Sequence, residues 1–293
     1  MVLIKWIETL HSITNVNILK CVPRFLEKLF SIVEYSQNTD KQPIKNEVAK
    51  KSLEQLGLFL EDFRQQNSRS LELDKEIIVE LNKFLKDLKA PVMGKGLYEA
   101  LYWLNKFIQY FEDDYNIWLE EAQDMLREQL DDLSEEDQFI LQEQKKFLDK
   151  IFKEQFPDII EIILIYSQRK QFQELVQKIN KRVLKLVLEI MKDKNDFENI
   201  FKKLKNEFTN EKNSKGVFQR EQANTREIIV NWYIVLFKNF DMNLIDTNKD
   251  IFITLIESIN FEFPSLVQKI IDLVCMLSVK NEEYFRNVMS WLI

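Results

Sequence analysis

Ile18-Leu19-Lys20-Cys21-Val22-Pro23-Arg24-Phe25-Leu26-Glu27-Lys28-Leu29-Phe30-Ser31-Ile32-Val33-Glu34-Tyr35 contains the pattern that decides the fold. Leu26, Leu29, Phe30 and Val33 stand at i, i+3, i+4 and i+7, which puts all four on one stripe of a 3.6-residue helix. Glu27 and Lys28 stand between the first two of them. Pro23 falls near the start, where a missing N–H leaves no helical bond unmade.

Working outward, the same period recurs nearly without pause. It predicts helices over residues 2–12, 18–35, 44–63, 73–88, 97–111, 115–130, 135–155, 157–169 and 172–191. Further helices are expected over 197–208, 225–240, 249–259, 265–278 and from 282 onward. Pro43, Pro157 and Pro264 also fall at predicted helix starts, and Ser134 with Asp137 forms a start resembling a capping box. The 293 residues include only 4 Gly and 5 Pro, too few for the many corners of a strand-rich fold. Charged residues at 30% and apolar ones at 45% suit helices with one buried and one wet face.

Repetition sets the architecture. Trp6, Trp103 and Trp232 are each followed four residues later by Leu10, Phe107 and Leu236, one turn on and on the same face. Leu29, Leu126 and Leu255 follow each tryptophan by 23 residues, in what reads as the next helix. A third amphipathic helix follows each pair. A helix–turn–helix with an added helix matches the roughly 40–47 residues of HEAT or armadillo repeats. The expected fold is all-α, a HEAT/armadillo-type right-handed α-solenoid (α-α superhelix). One array spans 1–293, with repeat groups at about 1–63, 97–155 and 225–280 and less regular connecting helices at 71–89 and 157–210. The 22 Phe and 5 Trp supply the buried area between layers. Both ends of the sequence read as apolar helices inside a repeat, so a piece of a longer scaffold is expected.

Net charge of −7, with no strongly basic stretch, argues against a phosphate-backbone partner. Cys21 and Cys275 lie far apart among apolar residues, without CxxC spacing, and read as buried thiols. The Met1–Ile4 start is too short for a signal-peptide core. The longest apolar run, 159–166, falls far short of the ~20 residues of a span and contains Glu161. The expected location is cytoplasmic.

Candidate chemistry is sparse. His11, the single histidine, has no metal-ligand or triad spacing around it. Gly94-Lys95-Gly96 lacks the phosphate-loop pattern and follows a helix rather than a strand, so it reads as an interhelical turn. Glu112, Asp113 and Asp114, and then Asp131, Asp132, Glu135, Glu136 and Asp137, read as a solvated loop and helix-start charge rather than a patch for a basic partner. Lys202, Lys203, Lys205, Lys212 and Lys215 are diluted by Glu207 and Glu211 and read as a solvated face. Asp246, Asn248, Asp250, Ile253 and Glu257 match positions 1, 3, 5, 8 and 12 of a calcium loop, but Ile251 occupies the sixth position, where the sharp turn needs glycine. No enzyme activity, cofactor, metal or catalytic residue is expected.

The first block also carries a resemblance. Lys5-Trp6-Ile7, Leu10-His11-Ser12-Ile13, Val16-Asn17-Ile18-Leu19, Val22-Pro23-Arg24-Phe25-Leu26 and Leu29-Phe30 together resemble a W-x3-L-x-S-I-P stretch and its FL-x2-LF continuation in the Vac-fourteen family. Ala100 to Gln109, around Trp103, is similar to that family's A-x2-W-x3-FI segment. Thr225-Arg226 with Trp232 resembles its TR-x-[AIV]-x-L-x-W segment, and Tyr284-Phe285 resembles its final helix start. Thr14 departs from the usual proline, and the stretch 157–216 matches little. The resemblance covers the family's middle region only.

The resemblance implies a HEAT-repeat scaffold assembling a PIKfyve-type lipid kinase and a Sac-type lipid phosphatase. That complex controls phosphatidylinositol 3,5-bisphosphate on endosomal and vacuolar membranes. Attachment to the membrane would be indirect, and self-assembly would belong to the full-length protein. The alternative is a trafficking or transport adaptor that binds peptide segments in a concave face.

Overall fold

The computed structural model describes residues 2–13, 17–36, 43–65, 70–87, 94–127, 135–191, 200, 204, 220–239, 263–280, 286 and 290. Among these residues there is no strand. The α-helices whose bounds the described residues define are α1 (Val2–His11), α2 (Val22–Ser36), α3 (Pro43–Gln65), α4 (Leu71–Asp87), α5 (Lys95–Arg127), α6 (Glu135–Ser167), α7 (Gln173–Ile190), α8 (Arg220–Asn239) and α9 (Pro264–Lys280). Short 3-10 turns at Ile18–Cys21 and Lys170–Phe172 lead into α2 and α7. The chain forms two compact units, Met1–Ile162 and Ile163–Ile293.

In the first unit α2 is the central element, packed against α3, α4 and α5. The stripe read from the sequence is the one that is buried: Leu26, Leu29, Phe30 and Val33 are sealed from solvent. Phe30 meets Trp103 edge-on at 5.9 Å and Phe84 at 5.4 Å. Trp103 in turn contacts Phe63 at 6.3 Å and stacks on Phe107 at 5.9 Å, so one aromatic cluster joins α2, α3, α4 and α5. Edge and offset contacts of this kind add to the burial of large ring surfaces.

Two helices run through predicted breaks. α5 continues across Glu112-Asp113-Asp114 because acidic residues do not break helices. Phe111 and Tyr115, one turn apart on one face, are both buried and hold the register. α6 continues across Pro157. The proline removes one intrahelical bond, a penalty of about 3 kcal/mol. Burial of Phe152, Phe156, Ile159 and Ile160 around it offsets that loss. The second repeat group therefore holds two long helices rather than a helix–turn–helix and a third. Trp103 and Leu126 lie on the same helix, not on successive ones.

The tryptophan alignment also divides. Trp103 and Trp232 are buried, whereas Trp6 is 63% exposed. On α1 the inward positions are taken by Ile4 and Ile7, so the indole between them faces outward.

A polar seam joins α4 to α6. Lys75 pairs with Glu154 at 2.6 Å, Asn82 donates to Gln155 at 3.2 Å, and Lys86 pairs with Asp158 at 2.9 Å and Glu161 at 3.3 Å. Burial pulls the Lys86 pKa down, but the two carboxylates outweigh it and hold it above the ordinary lysine value. A raised lysine contributes stability below its unfolded pKa and loses it as the pH climbs through the folded one. The Lys86 contribution is therefore lost under strongly alkaline conditions, while Glu154, held below its ordinary value by Lys75, loses its contribution in acid.

Glu99, one turn before Trp103 on α5, behaves differently. Burial pushes its carboxyl above the ordinary range, opposed by the Trp103 indole N–H. A raised carboxyl binds its proton more tightly in the folded chain. Its contribution to stability is present in acid and lost as pH rises through the folded value. Glu99→Gln, which keeps the shape without the charge, is expected to raise the unfolding temperature at neutral pH and leave it nearly unchanged in acid. Thermal unfolding of both proteins at the two pH values checks this.

In the second unit α7 buries Leu175, Val176, Ile179, Val183, Leu186, Val187 and Ile190, one face of an amphipathic helix. α8 packs on α9. Thr225 and Arg226 are buried, and the Ser167 and Thr225 hydroxyls share a hydrogen bond of 2.8 Å.

Candidate functional site

Each unit contains an open groove. In the first, a cavity of about 740 Å³ lies among α2, α4 and α6, with Pro23, Val79 and Phe147 supplying apolar surface. Arg24, Glu27, Glu72, Lys75, Glu76, Glu80 and Lys83 supply charge around it. Lys75 is committed to Glu154 and Lys83 reaches Glu80 at 3.9 Å. Glu72 is held below its ordinary pKa, chiefly by the Ser70 hydroxyl. Such a surface, part apolar and part charged with both signs, resembles the rim of a protein interface more than a small-molecule pocket.

The second unit's groove is different in character. About 240 Å³ in volume, it is lined by Gln173, Gln177 and Asn180 of α7, Asn224 and Asn231 of α8, and Lys269 of α9. Val176 and Ile228 form an apolar floor. The Trp232 indole N–H donates to the Asn180 carboxamide oxygen at 2.7 Å. Lys269 is committed to Glu227 in a short ion pair. Charge spacing and motif patterns gave no sign of this groove. The available signal was the uncharged polar run 173, 177, 180 at i, i+4, i+7 on a helix whose other exposed positions are mostly charged.

His11 stands at the end of α1, where the sequence placed it, and ties α1 to α3. Gln55 donates to its Nδ1 at 2.8 Å, which leaves the proton on Nε2 to be donated to Asp62 at 2.5 Å. Its ring lies 5.0 Å from that of Phe59. An Asp–His pair can orient a base, but the ring's other contacts are an amide and a phenyl group rather than a nucleophile.

Gly94-Lys95-Gly96 does cradle an anion, and the anion is the protein's own. The buried Glu34 carboxylate accepts the Gly94 N–H at 2.7 Å and the Leu97 N–H at 3.0 Å, at the first turn of α5. The turn is therefore an anchored helix start.

Cys21 and Cys275 are both exposed, contrary to the buried thiols expected. Ile18, Leu19 and Val22 take the inward positions beside Cys21, and Leu273 takes that beside Cys275. Glu112–Asp114 lie mid-helix on α5. Asp131, Asp132, Lys202, Lys203, Lys205, Lys212, Lys215 and the calcium-loop match at 246–257 lie outside the described residues. Glu135–Asp137 form the first turn of α6. Among the described residues no group of three or more His, Cys, Asp or Glu could hold a metal ion, and no described helix is long and apolar enough to cross a membrane.

The chain matches no protein-family model, no curated protein and no solved structure.

Proposed function

We propose that this chain is a non-catalytic scaffold, a HEAT/armadillo-type helical array that holds a PIKfyve-type lipid kinase and a Sac-type lipid phosphatase in one complex. The mechanism is tethering. Two enzymes fixed on one support meet at an effective concentration set by the support rather than by the cell. Attachment to endosomal or vacuolar membranes comes through the partners.

The observation that supports this reading is the use made of its most specific segment. Leu26, Leu29 and Phe30 of that segment are the buried centre on which α3, α4 and α5 pack. A helix that cannot bury its stripe alone and is covered by successive neighbours is the packing unit of solenoids.

Affinity capture of the chain from its own cells, followed by mass spectrometry, tests the proposal. Recovery of both the lipid kinase and the phosphatase is expected, and recovery of cargo or nuclear-pore proteins without them overturns it. The second reading, an adaptor for peptide segments, is favoured by the open charged groove of the first unit.

A further inference from the structure

The groove of the second unit has a composition that scaffolding alone does not require. Five carboxamides line it, and among the described residues the side chains of Gln173, Gln177, Asn224 and Asn231 have no hydrogen-bond partner within the protein. A carboxamide offers an acceptor oxygen and two N–H donors, the same pair of functions that a peptide unit presents. All five sit half-exposed or exposed, within reach of a ligand.

Asn180 shows that part of the surface is pre-organised. The indole N–H of Trp232 is a donor only, so the Asn180 oxygen must face it. The Asn180 NH₂ group is thereby left for the groove. The indole is buried, which fixes that orientation before any ligand arrives.

Charge narrows the class of ligand. Lys269, the one cation among the lining residues, is taken by Glu227, the one anion, and the Ser265 hydroxyl also reaches Glu227. A phosphate or carboxylate ligand would find no uncommitted cation there. Geometry narrows it further. On α7, positions 173, 177 and 180 form one row, and on α8, positions 224 and 231 form another. Each row spans seven residues, or about 10 Å at the helical rise. An extended chain advances about 3.3 Å per residue, so two such rows match about three residues of it. The volume, about 240 Å³, is below the roughly 300–1,000 Å³ of ordinary small-molecule sites.

We propose that this groove binds the main chain of an extended, uncharged polypeptide segment of a partner protein, gripped by the carboxamides of Gln173, Gln177, Asn180, Asn224 and Asn231. Val176 and Ile228 beneath them receive a small apolar side chain. The proposal rests on the reading of the chain as protein-binding and is independent of which complex it serves.

The test uses the full chain and a displayed library of random, unstructured dodecapeptides. Peptides selected on the chain are synthesised, and their affinities measured by fluorescence polarisation. Asn224→Ala, Asn231→Ala and Gln177→Ala each remove an amide with no hydrogen-bond partner among the described residues, so thermal unfolding should be unchanged. Each is expected to weaken binding by roughly fivefold, the effect of one net hydrogen bond. N-methylation of two or three consecutive peptide nitrogens is expected to abolish binding, while alanine replacement of the corresponding side chains leaves most of it.

Failure to select any peptide overturns the proposal, as does binding indifferent to the three variants or to N-methylation. Self-association of the chain that is lost in Asn231→Ala, without peptide binding, would assign the groove to a second copy and also overturn it. None of these outcomes bears on recovery of the lipid kinase and phosphatase, so the two proposals fail separately.

Discussion

Trp103→Ala is expected to destabilise the first unit by about 3–5 kcal/mol, the range for emptying a buried tryptophan site. The indole is fully buried and touches Phe30, Phe63 and Phe107, which belong to α2, α3 and α5 itself. Its removal leaves a cavity where those helices meet, and none of their rings can fill it without leaving another contact. Trp6→Ala, by contrast, removes a side chain that is 63% exposed, and less than about 0.5 kcal/mol is expected. Urea unfolding of the two variants checks the contrast. Hydrogen exchange adds a local reading, since protection should fall across α2, α3 and α5 for Trp103→Ala alone. Equal losses from the two substitutions would mean that Trp6 is packed as Trp103 is, and would restore the equivalence of the two repeat groups.

That contrast also marks how far the sequence could be read. Among the described residues periodicity located the helices because each stripe, such as Leu26 to Val33, is decided by local spacing alone. The helices expected over 197–208, 249–259 and from 282 onward fall largely outside them. Spacing could not say which of three tryptophans is buried, because that depends on which neighbour covers the helix. On α1, Ile4 and Ile7 take the covered side. Break points were misread for a related reason. Pro157 reads locally as a helix start and the acidic run 112–114 as a solvated loop, yet buried residues on either side carry both helices through. The groove amides left a fainter trace still. Gln173, Gln177 and Asn180 share a helix face, but the opposing Asn224 and Asn231 come from a helix more than 40 residues away in sequence, and only folding brings the rows together. Glu34 was legible in principle. It stands four residues after Phe30 on the buried stripe, where an unpaired carboxylate would be untenable, so a partner was implied although its identity was not.

The partner is the start of α5, and breaking that contact should cost about as much as removing Trp103. In a capping box, the side chain before the helix bonds the N–H three residues on, and the residue there returns a carboxylate. Gly94 has no side chain to give and Leu97 has no carboxylate. The single carboxylate of Glu34 accepts both N–H groups from across the helix interface. Glu34→Ala leaves two buried N–H groups without an acceptor and opens space under α5, for an expected loss of about 3–5 kcal/mol. Glu34→Gln retains one acceptor but turns its NH₂ toward the other N–H, and should fall between wild type and alanine. Gly96→Ala probes the same junction sterically. A Cβ there would press into the Phe30 carbonyl oxygen and the Glu34 backbone, which cannot swing aside, so a loss of about 1–3 kcal/mol is expected. Gly57→Ala on α3 is the control with opposite sign. Nothing lies near its added methyl group, and the gain in helix propensity should stabilise the unit by about 0.5–1 kcal/mol. Urea unfolding of the four variants measures the order. If Gly96→Ala were as benign as Gly57→Ala, α5 would not lie so close to α2, and the capping role of Glu34 would fall with it.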